Sequence, residues 1–360
     1  MLLSGPDGGG LTAIPAGTEA ELGLAPGGVR ASLGSGGRRS ASAFTVRPAD
    51  SDGLVRVNGR EYRGEVLITP GPSGGGLLAV NLVSLEAYVA GVVNAEMGRR
   101  PAADSEAVFA QAVVSRTVAL RALGRYRVRG YDLVSTIADQ AYGGVPSETE
   151  MGWSAVRATR GLVLTFGGTP IEAFFHSTCG GRTAAVEEVF SGSPQPYLRS
   201  VSDRDPQGQA YCALSPRFRW REEWTADGLR RNFRENAGLA RLDPGSSLEP
   251  ADLQVATRSP SGRVAELILV SAGRAMPISG QQVVRQTLRA ADGGWLRSTQ
   301  FSIQVTRAGG RIVRVVADGG GNGHGVGMCQ WGAVGRARAG ASYRDILTAY
   351  YPGTEIGRFY

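Results

Sequence analysis

The 360-residue sequence contains no lysine, so all 39 of its basic side chains are arginines. The absence of lysine excludes Schiff-base chemistry on a lysine amine and a Walker-type phosphate loop. No apolar run reaches the ~18 residues of a membrane-spanning helix, so we expect no transmembrane segment. Histidine and cysteine are scarce, with two and three residues. Any chemistry that needs them is therefore confined to a few positions.

The charge balance is basic, with a formal net charge of +7. A positive excess suits an anionic partner such as nucleic acid, a membrane surface or a cell-wall polymer. The sequence has no long basic run and no basic stripe interleaved with aromatic residues. We therefore do not expect nucleic acid as a partner.

The first residues, MLLSGPDGGG, lack the charged start, apolar stretch and cleavage site of a secretory signal. Met-Leu-Leu-Ser instead resembles the end of a β-strand. We expect the start of the sequence to be truncated, so the missing signal peptide says little about the compartment.

The order of the patterns predicts an α+β fold in which grouped helices pack on β-hairpins and small sheets. Asn58-Gly59, for example, lies between alternating residues and predicts a hairpin. We divide the sequence into four segments: a β-rich segment (1–83), core helices with a hairpin (84–225), an α/β insertion of unclear role (226–300), and a C-terminal hairpin, glycine-rich turn and helices that complete the core (301–360).

The stretch SLEAYVAGVVNAEM predicts a helix capped by Ser84, with an apolar stripe through Val89 and Val92. Glu96 falls on the same stripe. A carboxylate there either finds a partner or has its pKa raised, and a raised pKa suits a general acid. Alternatively, the helix ends near Glu96 and the side chain turns to solvent or pairs with Arg99 or Arg100.

The stretch DSEAVFAQAVVSRTVALRAL predicts a second helix, capped by Asp104. Phe109, Val113 and Leu120 define its expected inward face. Arg116 lies on that face, and its structural explanation is an ion pair with Glu96 or Glu106. Gln111 lies on a different face and could line a cleft.

The motif HSTCGG (176–181) places His176 three residues before Cys179. With Cys212 and Cys329, these residues could form a zinc site of three thiolates and one imidazole. The spacing is irregular and no Cys-x-x-Cys pair exists, so we expect no metal or other cofactor. A Cys179–Cys212 disulfide with Cys329 free is the preferred alternative for an exported protein.

The stretch GNGHGVGMCQWGA (321–333) has strictly alternating glycines, which do not match the G-x-G-x-x-G dinucleotide fingerprint. Alternating glycines permit tight backbone packing and the close approach of a ligand or a neighbouring strand. His324 and Gln330 are then either side chains offered to a ligand or parts of a structural turn.

Five stretches, in this order, closely resemble the SpoIID/LytB family: EAYVAGVVNAEM, AQAVVSRTVAL, DQAYGGV, AFFHSTCGGRT and GHGVGMCQWGA. The resemblance covers residues 45–356. The family includes a lytic transglycosylase that acts on peptidoglycan glycan strands and an enhancer of a cell-wall amidase. The resemblance therefore implies peptidoglycan as the substrate, a wall amidase as a further partner, and an exported protein of the bacterial envelope.

The resemblance also implies roles for residues. The catalytic glutamate of the family corresponds to Glu96, and its glutamine and arginine correspond to Gln111 and Arg116. The walls of a glycan-binding cleft are expected from the following residues: Gln140, Tyr142, His176, Ser177, His324 and Gln330. A zinc site known in the family uses cysteines near DQAYGGV. This sequence has none there, so that metal is not implied.

The mechanism implied by the resemblance needs only one carboxyl group. Glu96 would protonate the glycosidic oxygen and then deprotonate the C6 hydroxyl of the muramoyl residue, which closes to a 1,6-anhydro product. Asp139 and Glu172 are candidates for the second carboxylate that most glycosidases use, but the sequence identifies neither as that residue. A non-catalytic amidase activator, a muramidase and a zinc protein are the alternatives.

Overall fold

The computed structural model of the chain describes residues 2–5, 12–15, 18–33, 37–50, 52–72, 74–241 and 248–360. These residues form a mixed α/β protein with several small sheets. The chain divides into two compact units. The first comprises Met1–Arg100, Ser115–Val163 and Arg358–Tyr360, and the second comprises Pro101–Val114 and Leu164–Gly357. The four sequence segments stay a prediction.

The described residues in the N-terminal part of the first unit form ten short strands: β1 (Leu2–Ser4), β2 (Thr12–Ala13), β3 (Glu21–Ala25), β4 (Gly28–Ser32), β5 (Arg38–Ala41), β6 (Phe44–Arg47), β7 (Val55–Val57), β8 (Arg60–Tyr62), β9 (Glu65–Pro70) and β10 (Leu77–Leu82). Five of them form a sheet in the order β10-β9-β6-β1-β2, and β3-β4-β5 form a second sheet. Alternate residues such as Val66 and Ile68 are buried in a common core, as expected of sheets with one covered face.

The hairpin predicted at Asn58-Gly59 is confirmed, because it joins β7 to β8. Both residues have positive φ, 48° for Asn58 and 79° for Gly59. A type I′ turn requires this conformation at both central positions, and Asn-Gly is its preferred pair. The predicted strand at Met-Leu-Leu-Ser is also present, as β1.

The predicted first helix is confirmed as α1 (Leu85–Met97). The Ser84 hydroxyl accepts a hydrogen bond from the Ala87 N–H, which satisfies one of the free donors at the helix start. The helix ends at Gly98, whose φ of 69° suits glycine. Helix α3 (Glu150–Ala158) packs against α1 within the same unit.

The second helix, α2 (Ser105–Arg121), is present where the sequence predicts it, but its predicted inward face is wrong. Val113 is fully buried, whereas Phe109 and Leu120 are only half-buried. Nearly every position from 107 to 119 is covered, including the polar side chains of Gln111 and Arg116. Because covered positions occur on all sides of the helix, it has no single inward stripe.

The second unit contains the remaining elements: β11 (Leu162–Phe166, which begins in the first unit), β12 (Thr169–Pro170), β13 (Phe175–His176), β14 (Arg219–Thr225), α4 (Ala226–Glu235), β15 (Pro250–Arg258), β16 (Val264–Ser271), β17 (Arg274–Ser279), α5 (Gln281–Thr287), β18 (Phe301–Ala308), β19 (Arg311–Gly320), β20 (Met328–Cys329), α6 (Gln330–Arg338), α7 (Tyr343–Tyr350) and β21 (Glu355–Arg358, whose last residue belongs to the first unit). Two three-stranded antiparallel sheets, β14-β19-β18 and β15-β16-β17, share a core with α4 and α5. Helix α7 begins with a capping box, in which the Ser342 hydroxyl accepts from the Asp345 N–H and the Asp345 carboxylate accepts from the Ser342 N–H.

None of the helices in the described ranges is both long enough and apolar enough to cross a membrane.

Candidate functional site

The carboxyl group of Glu96 lies in the last turn of α1, where it is half-buried. Its Oε1 atom accepts a hydrogen bond of 2.6 Å from the backbone N–H of Ala141. The alternative pairing with Arg99 or Arg100 is not formed, and Arg100 Nε instead donates to the carbonyl of Met97. Glu96 forms no ion pair with any residue that the structure describes.

The environment of Glu96 favours its protonated form. Burial raises the pKa of Glu96 above its ordinary value of 4.5, and the Ala141 hydrogen bond offsets only part of that effect. The carboxyl also lies at the C-terminal end of α1, where the helix dipole disfavours a negative charge. A raised pKa favours the protonated form that a general acid needs.

The loop that reaches Glu96 is DQAYGGV, and it is fixed to α1 on both sides of Ala141. The Tyr142 hydroxyl donates to Asn81 Oδ1 at 2.7 Å, and its ring packs against Tyr88 with centroids 5.1 Å apart. A Cβ atom on Gly91 would lie 2.6 Å from the Tyr142 ring, so this position requires glycine. The DQAYGGV motif therefore contacts Glu96 through the backbone N–H of Ala141, which its neighbours in the loop hold in place. The sequence did not indicate this backbone contact.

Gln140 is fully buried on the other side of that donor. Its Nε2 atom donates to the carbonyl of Ser115 at 3.2 Å and to the Tyr88 hydroxyl at 3.3 Å, while Oε1 is buried without a partner. The side-chain amide of Gln140 thus anchors the loop through its Nε2 atom.

Arg116 has a different partner from the one predicted. Its guanidinium is fully buried and forms an ion pair with Glu86, with Nη2 2.6 Å from Oε2. It also donates to the Leu162 carbonyl and the Thr159 hydroxyl. The predicted pairing with Glu96 or Glu106 was wrong, because Arg116 meets the first turn of α1 rather than its last. These contacts make Arg116 a structural residue.

The two candidates for a second carboxylate, Asp139 and Glu172, belong to different units. Asp139 belongs to the first unit, where Arg125 Nη1 lies 2.5 Å from its Oδ1 and the Val134 N–H donates to its Oδ2. Glu172 belongs to the second unit and is exposed. Asp139 is therefore committed to structural partners.

A cavity of about 520 Å³ lies within the first unit. Its lining includes the rings of Tyr62, Tyr88 and Tyr142 and the polar groups of Asn81 and Ser135. Glu96 is not among its lining residues. The cavity nevertheless shares Tyr142 with the loop that binds the Glu96 carboxyl.

The glycine-rich turn packs against HSTCGG in the second unit. Strands β13 and β20 pair in parallel, with His176 opposite Cys329, and Thr178 bridges to Asn322. A side chain at Gly323 would collide with the HSTCGG segment, since a Cβ there would lie 2.9 Å from His176 Cβ. The alternating glycines therefore permit close backbone approach, as the sequence indicated.

Both histidines lie in this packed region, with ring centroids 5.4 Å apart. His324 Nε2 is 2.8 Å from the Phe175 carbonyl, and its Nδ1 accepts from the Val326 N–H. Burial lowers the pKa of His324 to about 4 and the pKa of His176 well below its ordinary value. Both rings are neutral at pH 7, so neither supplies a proton.

The remaining predicted binding residues are also in the second unit. His176 bonds through Nδ1 to the Val326 carbonyl, and its Nε2 is buried without a partner. Gln111 and Gln330 are buried and bond to each other, with Gln330 Nε2 3.3 Å from Gln111 Oε1. Ser177 is half-buried, and its hydroxyl contacts that of Thr178. The pairing of Gln111 with Gln330 joins two of the five motifs.

The three cysteines converge, but the expected disulfide is not formed. The sulfurs of Cys179 and Cys212 are 3.5 Å apart, compared with about 2.05 Å in a disulfide, and all three cysteines are free and buried. The fourth residue beside them is Asp203, whose Oδ2 lies 3.2 Å from Cys179 Sγ. His176 is not part of this set, and nothing in the sequence indicated Asp203.

Comparison with known proteins places these motifs in a family. Residues 73–166, which include α1, α2 and the DQAYGGV loop, match the model of the SpoIID family, described as "Stage II sporulation protein". The Stage II sporulation protein D of Bacillus subtilis is 30% identical over 295 residues, covering 77% of this chain and 76% of that protein. The chain belongs to the SpoIID family.

Two other relatives broaden the comparison. An uncharacterized protein of Brachyspira hyodysenteriae is 31% identical over 310 residues, covering 85% of this chain and 74% of that protein. A protein named Amidase enhancer from Bacillus subtilis is 28% identical over 346 residues, which cover 88% of this chain and 47% of that protein.

The part of this SpoIID-family chain that follows the first four motifs matches a second model. Residues 209–327 correspond to a domain of unknown function (DUF8618), which includes the insertion 226–300 and most of the glycine-rich turn.

Proposed function

We propose that this protein is a peptidoglycan lytic transglycosylase that cleaves bonds between N-acetylmuramic acid and N-acetylglucosamine. Glu96 is its general acid and base. One observation carries the proposal: the Glu96 carboxyl is half-buried, has a raised pKa, and receives a single backbone hydrogen bond without any ion pair among the described residues. Structural carboxylates are normally neutralised by cations, as Glu86 is here by Arg116.

The reaction uses both protonation states of Glu96. The protonated carboxyl donates its proton to the glycosidic oxygen as the bond from that oxygen to C1 breaks. The resulting carboxylate accepts the proton of the C6 hydroxyl of the muramoyl residue, and that oxygen bonds to C1. The products are a free hydroxyl on one sugar and a 1,6-anhydro ring on the other, and Glu96 regains its proton. No water is consumed.

The hydrogen bond from Ala141 has a defined role in this cycle. The N–H group stabilises the carboxylate that forms after the first proton transfer, and burial stabilises the protonated form. The two effects oppose each other, and burial is the larger, so the pKa of Glu96 is raised. A general acid that must later act as a base needs this balance.

A single-carboxylate mechanism fits the first unit better than hydrolysis does. Hydrolytic glycosidases place a second carboxylate beside the bond that they cleave. Asp139 is occupied by Arg125 and the Val134 N–H, which leaves it unsuited to activate water. This supports the transglycosylase over the muramidase.

The proposed glycan-binding residues differ in what the structure offers for each. Tyr142 offers a half-buried ring beside a cavity, which suits a sugar face, and Gln140 fixes the adjacent loop. His176 offers a neutral Nε2 without a partner. Ser177, His324, Gln111 and Gln330 keep their proposed contribution to a glycan cleft. Arg116 is proposed only as the structural partner of Glu86.

The alternative is a non-catalytic wall-binding protein that activates an amidase, and it is motivated by the relative named Amidase enhancer. In both proposals the protein is exported and acts in the bacterial cell envelope on peptidoglycan. The two differ in whether new glycan ends appear.

The experiment is mass spectrometry of peptidoglycan, both intact and stripped of stem peptides by an amidase, after digestion with three proteins. These are the wild type, Glu96→Gln, and Glu150→Gln as a matched control. Glu150 is a strongly exposed glutamate on α3. We expect 1,6-anhydro ends from the wild type and Glu150→Gln, and none from Glu96→Gln.

Other outcomes have clear meanings. Reducing ends in place of anhydro ends would replace the transglycosylase by a muramidase. If none of the proteins forms new ends on either substrate, the activator becomes the better proposal. Stimulation of a purified wall amidase would then support it.

A further inference from the structure

Four side chains in the second unit converge on one point without any role in the proposed reaction. The sulfurs of Cys179, Cys212 and Cys329 and a carboxylate oxygen of Asp203 all lie within 4.8 Å of one another. All four side chains are fully buried. We infer that they bind a structural zinc ion, a ligand set of three thiolates and one carboxylate.

The distances fit a tetrahedral site. With zinc–sulfur bonds of about 2.3 Å, a tetrahedron has sulfur–sulfur edges of about 3.8 Å. The sulfurs of Cys179 and Cys212 are 3.5 Å apart, and Cys179 Sγ is 3.2 Å from Asp203 Oδ2. These separations are too long for covalent bonds and close to the edges of such a tetrahedron. Small adjustments would place a zinc ion between the four atoms.

Backbone N–H groups surround the sulfurs as they do in metal–thiolate sites. Cys329 Sγ accepts from the N–H groups of Cys179 and Gly332, each at 3.2 Å. Cys179 Sγ accepts from the Gly181 N–H at 3.3 Å. Such donors stabilise sulfur in its ionised form, which is the form that binds a metal.

Asp203 is oriented by groups outside the cluster. Its Oδ1 atom accepts from the Tyr350 hydroxyl at 2.6 Å and lies 3.2 Å from Arg336 Nε, so Oδ2 is turned toward Cys179. Ligating carboxylates are commonly fixed in this way by a second layer of hydrogen bonds. Gly332 is required at this point because a Cβ there would collide with Asp203 and Tyr350.

A buried cation beside the cluster is an independent indication of negative charge. Arg263 is only 1% exposed, and its Nη2 donates to the carbonyls of Cys179 and Arg182. Its Nε and Nη1 atoms are buried without partners, and it forms no ion pair with the residues that the structure describes. Burying an uncompensated charge is costly. Three thiolates, one carboxylate and Zn²⁺ carry a net charge of −2, which would compensate Arg263.

The site is expected to be structural rather than catalytic. All four positions of the tetrahedron are filled by protein side chains and are buried, which leaves no open position for water or substrate. The ligands come from four separate segments, among them HSTCGG and the start of α6. Zinc would therefore join segments that are distant in the sequence.

The test measures metal and thiols in the full chain, purified under reducing, chelator-free conditions. We expect one zinc ion and three titratable thiols per chain. Removal of zinc with a chelator should lower the Tm, and added zinc should restore it. Replacement by Co²⁺ should produce the sulfur-to-metal charge-transfer band and the intense visible bands of tetrahedral cobalt. These readouts do not depend on peptidoglycan cleavage.

Two variants test the ligand set. Cys212→Ser should lose zinc, whereas His176→Asn should keep it, because His176 lies outside the cluster. A folded His176→Asn protein without zinc would overturn the assignment of Asp203. Wild-type protein with no zinc, or with a Cys179–Cys212 disulfide in peptide mapping, would overturn the site itself. The cobalt spectrum of the wild type decides the matter if Cys212→Ser does not fold.

Discussion

Glu86 and Glu96 lie ten residues apart on α1, in its first and last turns, and their environments are opposite. Burial alone would raise the pKa of Glu86, but Arg116, Tyr360 and the Gly161 N–H together lower it below 4.5. Burial also raises the pKa of Glu96, and the Ala141 N–H group opposes that shift. The pKa values of two glutamates on one helix are thus shifted in opposite directions.

Under the proposed function, this difference separates a structural carboxylate, Glu86, from a catalytic one, Glu96. Glu86 sits at the N-terminal end of the helix dipole and pairs with a fully buried guanidinium, so ionisation stabilises the fold. Glu96 sits at the opposite end, where ionisation is unfavourable. A carboxylate whose ionisation the fold does not support is expected to have been retained for chemistry.

The largest expected effect is on catalysis. Glu96→Gln should reduce the formation of anhydro ends by at least about 100-fold, the usual contribution of a general acid. Its free energy of unfolding should change by less than about 1 kcal/mol, because the amide oxygen still accepts from Ala141. Product yield and urea unfolding of the same preparation measure the two quantities. Full activity in the variant would remove Glu96 from the mechanism.

The next largest effect is on stability. Glu86→Gln leaves the Arg116 guanidinium buried without its anionic partner, which should lower the free energy of unfolding by about 3 kcal/mol. The activity of the molecules that remain folded should be retained. Urea unfolding and product yield per folded molecule would show this. If stability were unchanged while activity was lost, the roles of the two glutamates would be reversed.

The pH dependence of stability should differ in sign between the two sites. The folded pKa of Glu86 is lowered, so its contribution is present above pH 4.5 and is lost as pH falls through the folded value. The folded pKa of Glu96 is raised, so the native state binds its proton more tightly than the unfolded state. Stability therefore falls as pH rises from 4.5 through that higher value.

Unfolding of the wild type and the two glutamine variants across pH measures this contrast. The advantage of the wild type over Glu86→Gln should shrink toward acid pH. The stability of Glu96→Gln relative to the wild type should grow toward neutral pH. Parallel curves for the two variants would contradict the comparison.

The smallest expected effect concerns the third contact of Glu86. Tyr360→Phe removes the hydroxyl that donates to Glu86 Oε1, while the Arg116 ion pair stays in place. Because Tyr360 is about half exposed, we expect a loss of no more than about 1 kcal/mol. Thermal unfolding with Tyr343→Phe as a control for removing a tyrosine hydroxyl elsewhere would detect it. A loss comparable to that of Glu86→Gln would show that the hydroxyl, rather than the guanidinium, holds the carboxylate.

Local patterns in the sequence determined several caps and turns of this protein. The Ser84 cap, the Asn58-Gly59 turn and the Ser342–Asp345 capping box each depend on hydrogen bonds or φ angles within a few residues. The periodicity of α1 was enough to single out Glu96 as a carboxylate on an apolar stripe, and the five motifs were enough to indicate the family.

Only the tertiary structure decided which partners these side chains meet. Arg116 pairs with Glu86 rather than Glu96, and the cysteines meet Asp203 rather than His176, because contacts between distant segments depend on how the elements pack. The backbone donor at Ala141 could not be read from its side chain. Burial, which sets the pKa of Glu96, is a property of the packed fold, and so the chemistry of the residue was decided there.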